Sequence, residues 1–313
     1  MNSLRKDASE YLTLRRSLGF KLQRHAVYLE ECLAFMRRQR ADRITTERAL
    51  RFATAASRCG AKTRADRLSV VRGFARYRLE SDPRTEVPPA GLLPTPRPRA
   101  RPYLYSEEEV RRLLAAALAR PSLVSLQPWT FYCLFGLLAV TGMRVSEALK
   151  VQELQIDWER GVLTVEKSKF GKTRLLPLHP STMAALSDYA RRRRRYLADH
   201  RCPPTNCFFV SGKGRPLQKA YLDRMFWSLS RQIGLRAEGA SCGPRMHDLR
   251  HRFAVETLVR WYRSGESVDR RLPILSTYLG HTDVTNTYWY LSCTPELMAA
   301  AGTRLERRWK GIA

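Results

Sequence analysis

Acidic residues are scarce in this chain. Among 313 residues, 29 are Asp or Glu against 56 Lys or Arg, which leaves a formal net charge of +27. Lysine is scarce as well, so the excess is mostly arginine. A field this positive goes beyond what solubility needs and points to a polyanion, a nucleic acid, as partner. Long apolar runs are missing. The longest, Phe131 to Val140, is about half of what a bilayer span requires, so no membrane role is expected. The first ten residues carry no apolar run, and no secretory signal is expected. Cysteine is sparse and unordered: Cys32, Cys59, Cys133, Cys202, Cys207, Cys242 and Cys293 are odd in number, with no Cys-x-x-Cys pair. That excludes a disulfide framework and a zinc site, and fits reduced thiols in a cytoplasm. An acidic triad is also missing, which argues against a metal-dependent transposase. Neither a metal nor a cofactor is expected.

Apolar residues make up 44% of the chain and aromatics 10%, enough for a sizeable core in one large domain or two ordinary ones. Residues 1–86 read as a helical domain. Thr45 caps a helix running to about Ser57, and Arg64 to Glu80 places Leu68, Val71, Phe74, Ala75 and Leu79 at helical spacing. Residues 87–102 hold six prolines and three arginines in sixteen positions, an extended basic linker. Residues 103–313 form the second domain. Ser106 and Glu109 spell a capping box, and Trp129 to Val140 is apolar on all sides, a buried helix ending at Thr141-Gly142. A short helix restarts at Arg144. Trp158 to Val165 and Thr173 to Leu178 form a hairpin around Phe170-Gly171-Lys172, and the chain after Ser181 is mainly helix. The expected architecture is thus mainly α with a small β-hairpin or sheet, in two domains that clamp DNA. Charge is shared evenly: residues 1–102 carry 23 basic and 10 acidic side chains, and residues 103–313 carry 33 and 19.

The residues that can carry chemistry are few. Arg144 follows the buried helix. Lys169 sits at the hairpin, flanked by Lys167 and Lys172. His247 and Arg250 lie three apart on one helix face, His281 follows Gly280, and Tyr290 lies nine residues later. Arginine forks, a lysine, two histidines and a tyrosine suit a phosphoryl transition state. The guanidinium groups clamp the non-bridging oxygens, an acid protonates the leaving alkoxide, and tyrosine can act as covalent nucleophile. Tyr288 competes with Tyr290 as nucleophile, but residues two apart point to different helix faces. Tyr278 reads as core. So do Trp129, Phe131, Phe135 and Leu138. Arg191 to Arg195 read as a solvated face that could touch phosphates.

In this order the set resembles the tyrosine recombinase (phage integrase) family over essentially the whole chain. The resemblance implies that Arg144 and Arg250 bind the scissile phosphate and Lys169 protonates the leaving 5′-oxygen. It implies that His247 assists proton transfer, His281 donates to the phosphate, and Tyr290 forms a 3′-phosphotyrosine bond. Glu147 falls where the family often has an acid that supports the first arginine. The resemblance further implies independence of metal and ATP, and a homo-oligomer, a tetramer on DNA, or a related recombinase as partner. A DNA-bending accessory protein is a further possible partner, and the setting is bacterial and nucleoid-associated. The residues after Tyr290, with Pro295 to Ala300 as a helix, would dock on a neighbouring protomer. Arg250 to His281 spans 31 residues, longer than in compact relatives, and the surplus is expected in a polar loop or helix extension over 261–271. The competing readings are a type IB topoisomerase and an inactive DNA-binding accessory protein.

Overall fold

The computed structural model describes residues 2–55, 59–94, 102–120, 126–166, 171–240, 242–292, 295–309 and 311. It divides into two compact units, Met1–Ala100 and Arg101–Ala313, so the division falls inside the proline-rich stretch.

The first unit is four helices: α1 (Asn2–Ser17), α2 (Gln23–Arg38), α3 (Thr46–Thr54) and α4 (Ala61–Leu79). Its core holds Leu29, Phe52, Leu68, Val71 and Phe74. Thr45 caps α3 by accepting the Arg48 N–H at 3.2 Å. The helix is described over Thr46–Thr54, and its expected end near Ser57 lies outside the described residues. Arg78 is buried and gives its guanidinium to Asp7 and Asp82, the pairing a buried charge needs. The front of the proline-rich stretch is not free linker. Val87 and Leu93 pack on this core, and Arg72 donates to the carbonyls of Pro88 and Pro89 at 2.8 and 2.9 Å.

The second unit is built around α6 (Leu126–Thr141), whose apolar residues other than Val140 are covered by neighbours. Before it lies α5 (Glu107–Leu118), with both halves of the Ser106–Glu109 capping box in place. After it come α7 (Val145–Ala148) and a three-stranded antiparallel sheet, β1 (Ile156–Asp157), β2 (Val162–Val165) and β3 (Arg174–Pro177). The expected hairpin is β2–β3, paired Leu163 to Leu176. Strand β1 adds an edge that a two-residue segment could not announce. Then follow α8 (Pro180–Asp199), α9 (Lys219–Gln232), α10 (Met246–Arg263), α11 (Val268–Leu279), α12 (Thr285–Tyr288), a 3₁₀ turn Trp289–Ser292 and α13 (Pro295–Trp309).

Helix α10 joins two cores. Met246 and Leu249 face the cluster around α6, while Ala254, Val255, Leu258 and Val259 face a second cluster with Leu272, Leu275, Tyr290 and Leu297. The tail helix α13 thus seats Leu297 on its own chain. Of the two expectations for 261–271, a polar loop or a helix extension, the structure shows the helix extension. Helix α10 runs to Arg263, α11 starts at Val268, and Trp261, Tyr262, Val268 and Leu272 pack in the second cluster. Only the turn between them is free of helix. The arginine run on α8 is also not uniformly solvated. Arg193 is 4% exposed and donates to Glu153, Thr205 O and Cys207 O. Trp129 is half-buried, with the Arg192 guanidinium 3.8 Å above its ring.

Candidate active site

The end of α6 sets the first arginine. Gly142 turns the chain at φ +59°, where a Cβ would lie 2.6 Å from the Phe253 ring, so only glycine fits. Arg144 then precedes α7. Its backbone N–H donates to Glu147 Oε2 at 2.9 Å and its Nη1 to Oε1 at 2.8 Å. Arg174 of β3 approaches the same carboxylate, Nη2 to Oε2 at 2.7 Å and Nη1 to Oε1 at 3.2 Å. Burial pushes the Glu147 carboxyl up, but the bonds and charges of Arg174 and Arg144 outweigh it and hold the pKa below the usual carboxylate range.

The start of α10 sets the second arginine. Asp248, 1% exposed, accepts the Arg245 N–H at 2.8 Å and pairs with the Arg245 guanidinium at 2.9 Å. This box fixes the first turn, which carries His247 and Arg250 on one face. Arg250 is 2% exposed and donates to Gly142 O at 2.8 Å and Leu279 O at 2.6 Å. Burial, with Arg144 and Arg174 nearby, lowers its pKa to about 10, and it stays charged at neutral pH.

Both arginines meet the carboxyl end of α11. Four successive carbonyls there each take one cation. Tyr278 O accepts Arg174 Nε at 2.8 Å, and Leu279 O accepts Arg250. Gly280 O accepts Arg144 Nη2 at 2.8 Å, and His281 O accepts Lys172 Nζ at 3.0 Å. Terminal helix carbonyls lack intrahelical donors and carry the negative end of the helix dipole, so cations collect there. Gly280 closes the helix at φ +68°, and a Cβ on it would press on the guanidinium groups of Arg174 and Arg144 at 3.0 and 3.4 Å.

Tyr290 faces this corner. It is 3% exposed, whereas Tyr288 is 52% exposed, as their two-residue offset requires. The Tyr290 ring lies 6.1 Å from that of His281, 5.4 Å from that of His251 and 5.6 Å from that of Trp289. His251 in turn contacts His247 at 5.0 Å between centroids. His281 Nδ1 shares a 2.8 Å hydrogen bond with the buried Thr287 hydroxyl, which orients the ring. Burial first, then the arginines, pull the His281 pKa down to about 4. Burial and His247 pull His251 to about 4, and burial and Arg250 lower His247. All three are neutral imidazoles at neutral pH.

Five of the six candidate residues, Arg144, His247, Arg250, His281 and Tyr290, thus share one corner. Lys169 lies outside the described residues, while Lys172, three positions on, reaches His281. Arg174, His251, Thr287 and Trp289 were not singled out by the sequence. The Arg174 partners are 27 and 104 residues away, beyond any local pattern. His251 follows Arg250 directly and could have been noticed. Tyr278 is half-buried and stacked on Phe253, consistent with core. No group of three His, Cys, Asp or Glu among the described residues could hold a metal ion.

Residues 104–296 match the profile described as "Phage integrase family". A Sinorhizobium fredii protein named as an integrase/recombinase, y4rB, is 50% identical over 313 residues, 99% of each chain. The tyrosine recombinase XerD of Caulobacter vibrioides is 30% identical over 237 residues, 76% of this chain and 72% of that one. Among solved structures, the Tn1549 transposon integrase in complex with a circular intermediate DNA superposes with a TM-score of 0.67 at 16% identity, covering 96% of this chain and 99% of that one. A lambda integrase tetramer bound to a Holliday junction superposes with a TM-score of 0.61 at 22% identity, covering 90% and 78%. The fold is theirs, and the sequence matches place the chain in the phage integrase family of tyrosine recombinases.

Proposed function

We propose that the protein is a site-specific DNA recombinase that cuts and rejoins strands through a 3′-phosphotyrosine intermediate and a Holliday junction. The observation that carries this reading is the gathering of Arg144, Arg250 and His281 about one helix end, with Tyr290 against the His281 ring. Tyr290 Oη attacks the scissile phosphorus. The P–O5′ bond breaks as the Tyr–O–P bond forms. Arg144 and Arg250 neutralise the non-bridging oxygens, and His281, a neutral imidazole, supplies a hydrogen bond there. His247 takes the Tyr290 proton, and Lys169 delivers one to the departing 5′-oxygen. The incoming 5′-hydroxyl of the partner strand reverses these steps. The phosphodiester energy is kept in the tyrosyl ester, so neither ATP nor a metal is required.

In this reading residues 1–86 and 103–313 are the DNA-binding and catalytic domains. The working assembly is a tetramer on two duplexes, serving a mobile element or replicon, with a related recombinase or a DNA-bending protein as possible companions. The lambda integrase tetramer on a Holliday junction supports the assembly by likeness of fold. No helix among the described residues is long and apolar enough to cross a membrane, and a cytoplasmic, nucleoid-associated setting follows from DNA as substrate.

The test is covalent capture. Wild-type protein incubated with nicked duplex fragments of the host genome should form a denaturation-resistant adduct without metal or ATP. Peptide mapping should place the nucleotide on Tyr290 through a 3′-phosphate. Tyr290→Phe should form none while still binding the captured duplex, and Tyr288→Phe should react normally. A nucleotide on any other residue would overturn the nucleophile, and a 5′ linkage would overturn the mechanism.

A further inference from the structure

Arg174 is a buried arginine of strand β3 whose side chain is tied to Glu147, the carboxylate that also holds Arg144. Its side chain and that of Glu147 are each 6% exposed. Glu147 gives Oε1 to the Arg144 guanidinium and Oε2 to the Arg144 backbone N–H, and shares both oxygens with the Arg174 guanidinium. Arg174 Nε is fixed independently by Tyr278 O at 2.8 Å. The carboxylate is therefore shared between the two arginines, and Arg174 holds both of its oxygens. The charge count matters as much as the geometry. Within the trio of Arg144, Arg174 and Glu147, two guanidinium groups and one carboxylate leave one net positive charge, beside that of Arg250. Without Arg174, Glu147 would neutralise Arg144 outright and compete with a phosphate for its donors. A carboxylate 6% exposed with a single cation clings to it, because burial weakens the competition from solvent.

We propose that Arg174 is a positioning residue that acts through Glu147: it occupies the carboxylate so that Arg144 keeps its orientation and its net charge for the scissile phosphate. This rests on the strand-exchange reading above. The residue itself never meets DNA. It ties strand β3 to Glu147 and to the end of α11.

The experiment measures the rate of covalent adduct formation and the equilibrium binding of the duplex that wild-type protein captures. Four variants are compared: Arg174→Met, Arg174→Lys, Glu147→Gln and the double Arg174→Met/Glu147→Gln. Arg174→Met should slow adduct formation by about 10²-fold, the scale of one lost transition-state donor, with duplex affinity within about threefold of wild type, a change of under 1 kcal/mol. Arg174→Lys keeps the charge but not the fork and should fall between. The double variant should be at least tenfold faster than Arg174→Met, since no carboxylate remains to capture Arg144. A residue that merely props the fold would make the double variant slower than either single. An Arg174→Met rate within threefold of wild type, or a double variant no faster than Arg174→Met, overturns the proposal. If Arg174→Met does not fold, the double variant is read against Glu147→Gln: equal rates within threefold support the proposal, and a tenfold deficit overturns it. Wild-type protein that forms no adduct would instead overturn the strand-exchange reading.

Discussion

Arg144 and Arg250 carry the same charge, yet their loss should be felt differently. From the sequence, either could be truncated without harm to the fold. Arg144 fits that expectation, being a fifth exposed at its side chain and tied to Glu147 and Gly280. Arg144→Ala should fold and bind DNA, with cleavage down ~10² to 10³. Arg250 does not fit. Its guanidinium is the donor for Gly142 O and Leu279 O in a site 2% exposed. Leaving a buried acceptor unmet costs about 1–3 kcal/mol, so Arg250→Ala should also lower the melting temperature measurably. A calorimetric scan of the two variants side by side checks this, and equal melting points would refute it. Tyr290 and Tyr288 illustrate the same scale. The two differ by one half-turn, and the fold buries one ring among histidines and leaves the other in solvent.

At the scale of elements, the carboxyl end of α11 is the organising feature. Gly280→Ala would strain a backbone at φ +68° and press on two guanidinium groups, whereas Gly239, at φ +77°, has nothing within 4 Å of its missing Cβ. The strain alone costs roughly 1–2 kcal/mol in each. Both variants should therefore lose similar stability, but only Gly280→Ala should lose cleavage, by displacing Arg144. Comparable cleavage in the two would show that the corner tolerates displacement. The histidines add a pH dependence. His251 and His281 have folded pKa values near 4, against about 6.5 in an unfolded chain. Between these values the unfolded state binds more protons, so stability rises with pH there. It should be complete above about 6.5 and fall as pH drops towards 4, with His247 adding in the same direction. Thermal melts from pH 7.5 to 4.5 test the sign, and a flat or opposite trend would place these rings in water.

Elements with local causes were legible beforehand. The Ser106–Glu109 box, the Thr45 cap and the all-apolar α6 appear where residue spacing puts them. Strand β1, of two residues, was not legible, because it exists only through its pairing with β2. Nor was the burial of Arg193, one of five consecutive arginines. Helical rotation turns that one side chain inward to Glu153 and two carbonyls. The stretch 261–271 reads as polar, but its aromatic and aliphatic positions supply the second cluster.

For the whole molecule, the +27 charge dominates. It is divided between both units, so affinity for duplex DNA should be steeply salt-dependent. Contact with about six to ten phosphates implies a loss of ~10³ to 10⁵ in affinity between 50 and 200 mM salt. Residues 103–313 alone, with 33 basic and 19 acidic side chains, should bind more weakly and with a smaller slope. A salt titration by fluorescence anisotropy measures both slopes, and a flat curve for the full chain would rule out phosphate contacts as the source of binding.

The sequence by itself determined the class of partner, the mainly helical character and the ordered set from Arg144 to Tyr290, because charge, periodicity and motif order survive in one dimension. Only the tertiary structure decided which carbonyls and carboxylates those side chains meet. Arg144 finds Gly280 across 136 residues, Lys172 finds His281 across 109, and Arg250 finds Gly142 across 108. Spacing rules reach about one helical turn or one strand pair. A partner beyond that reach is set by packing: the cores on either side of α10 bring the ends of α6, α10 and α11 together, and the cations follow the unpaired carbonyls they find there.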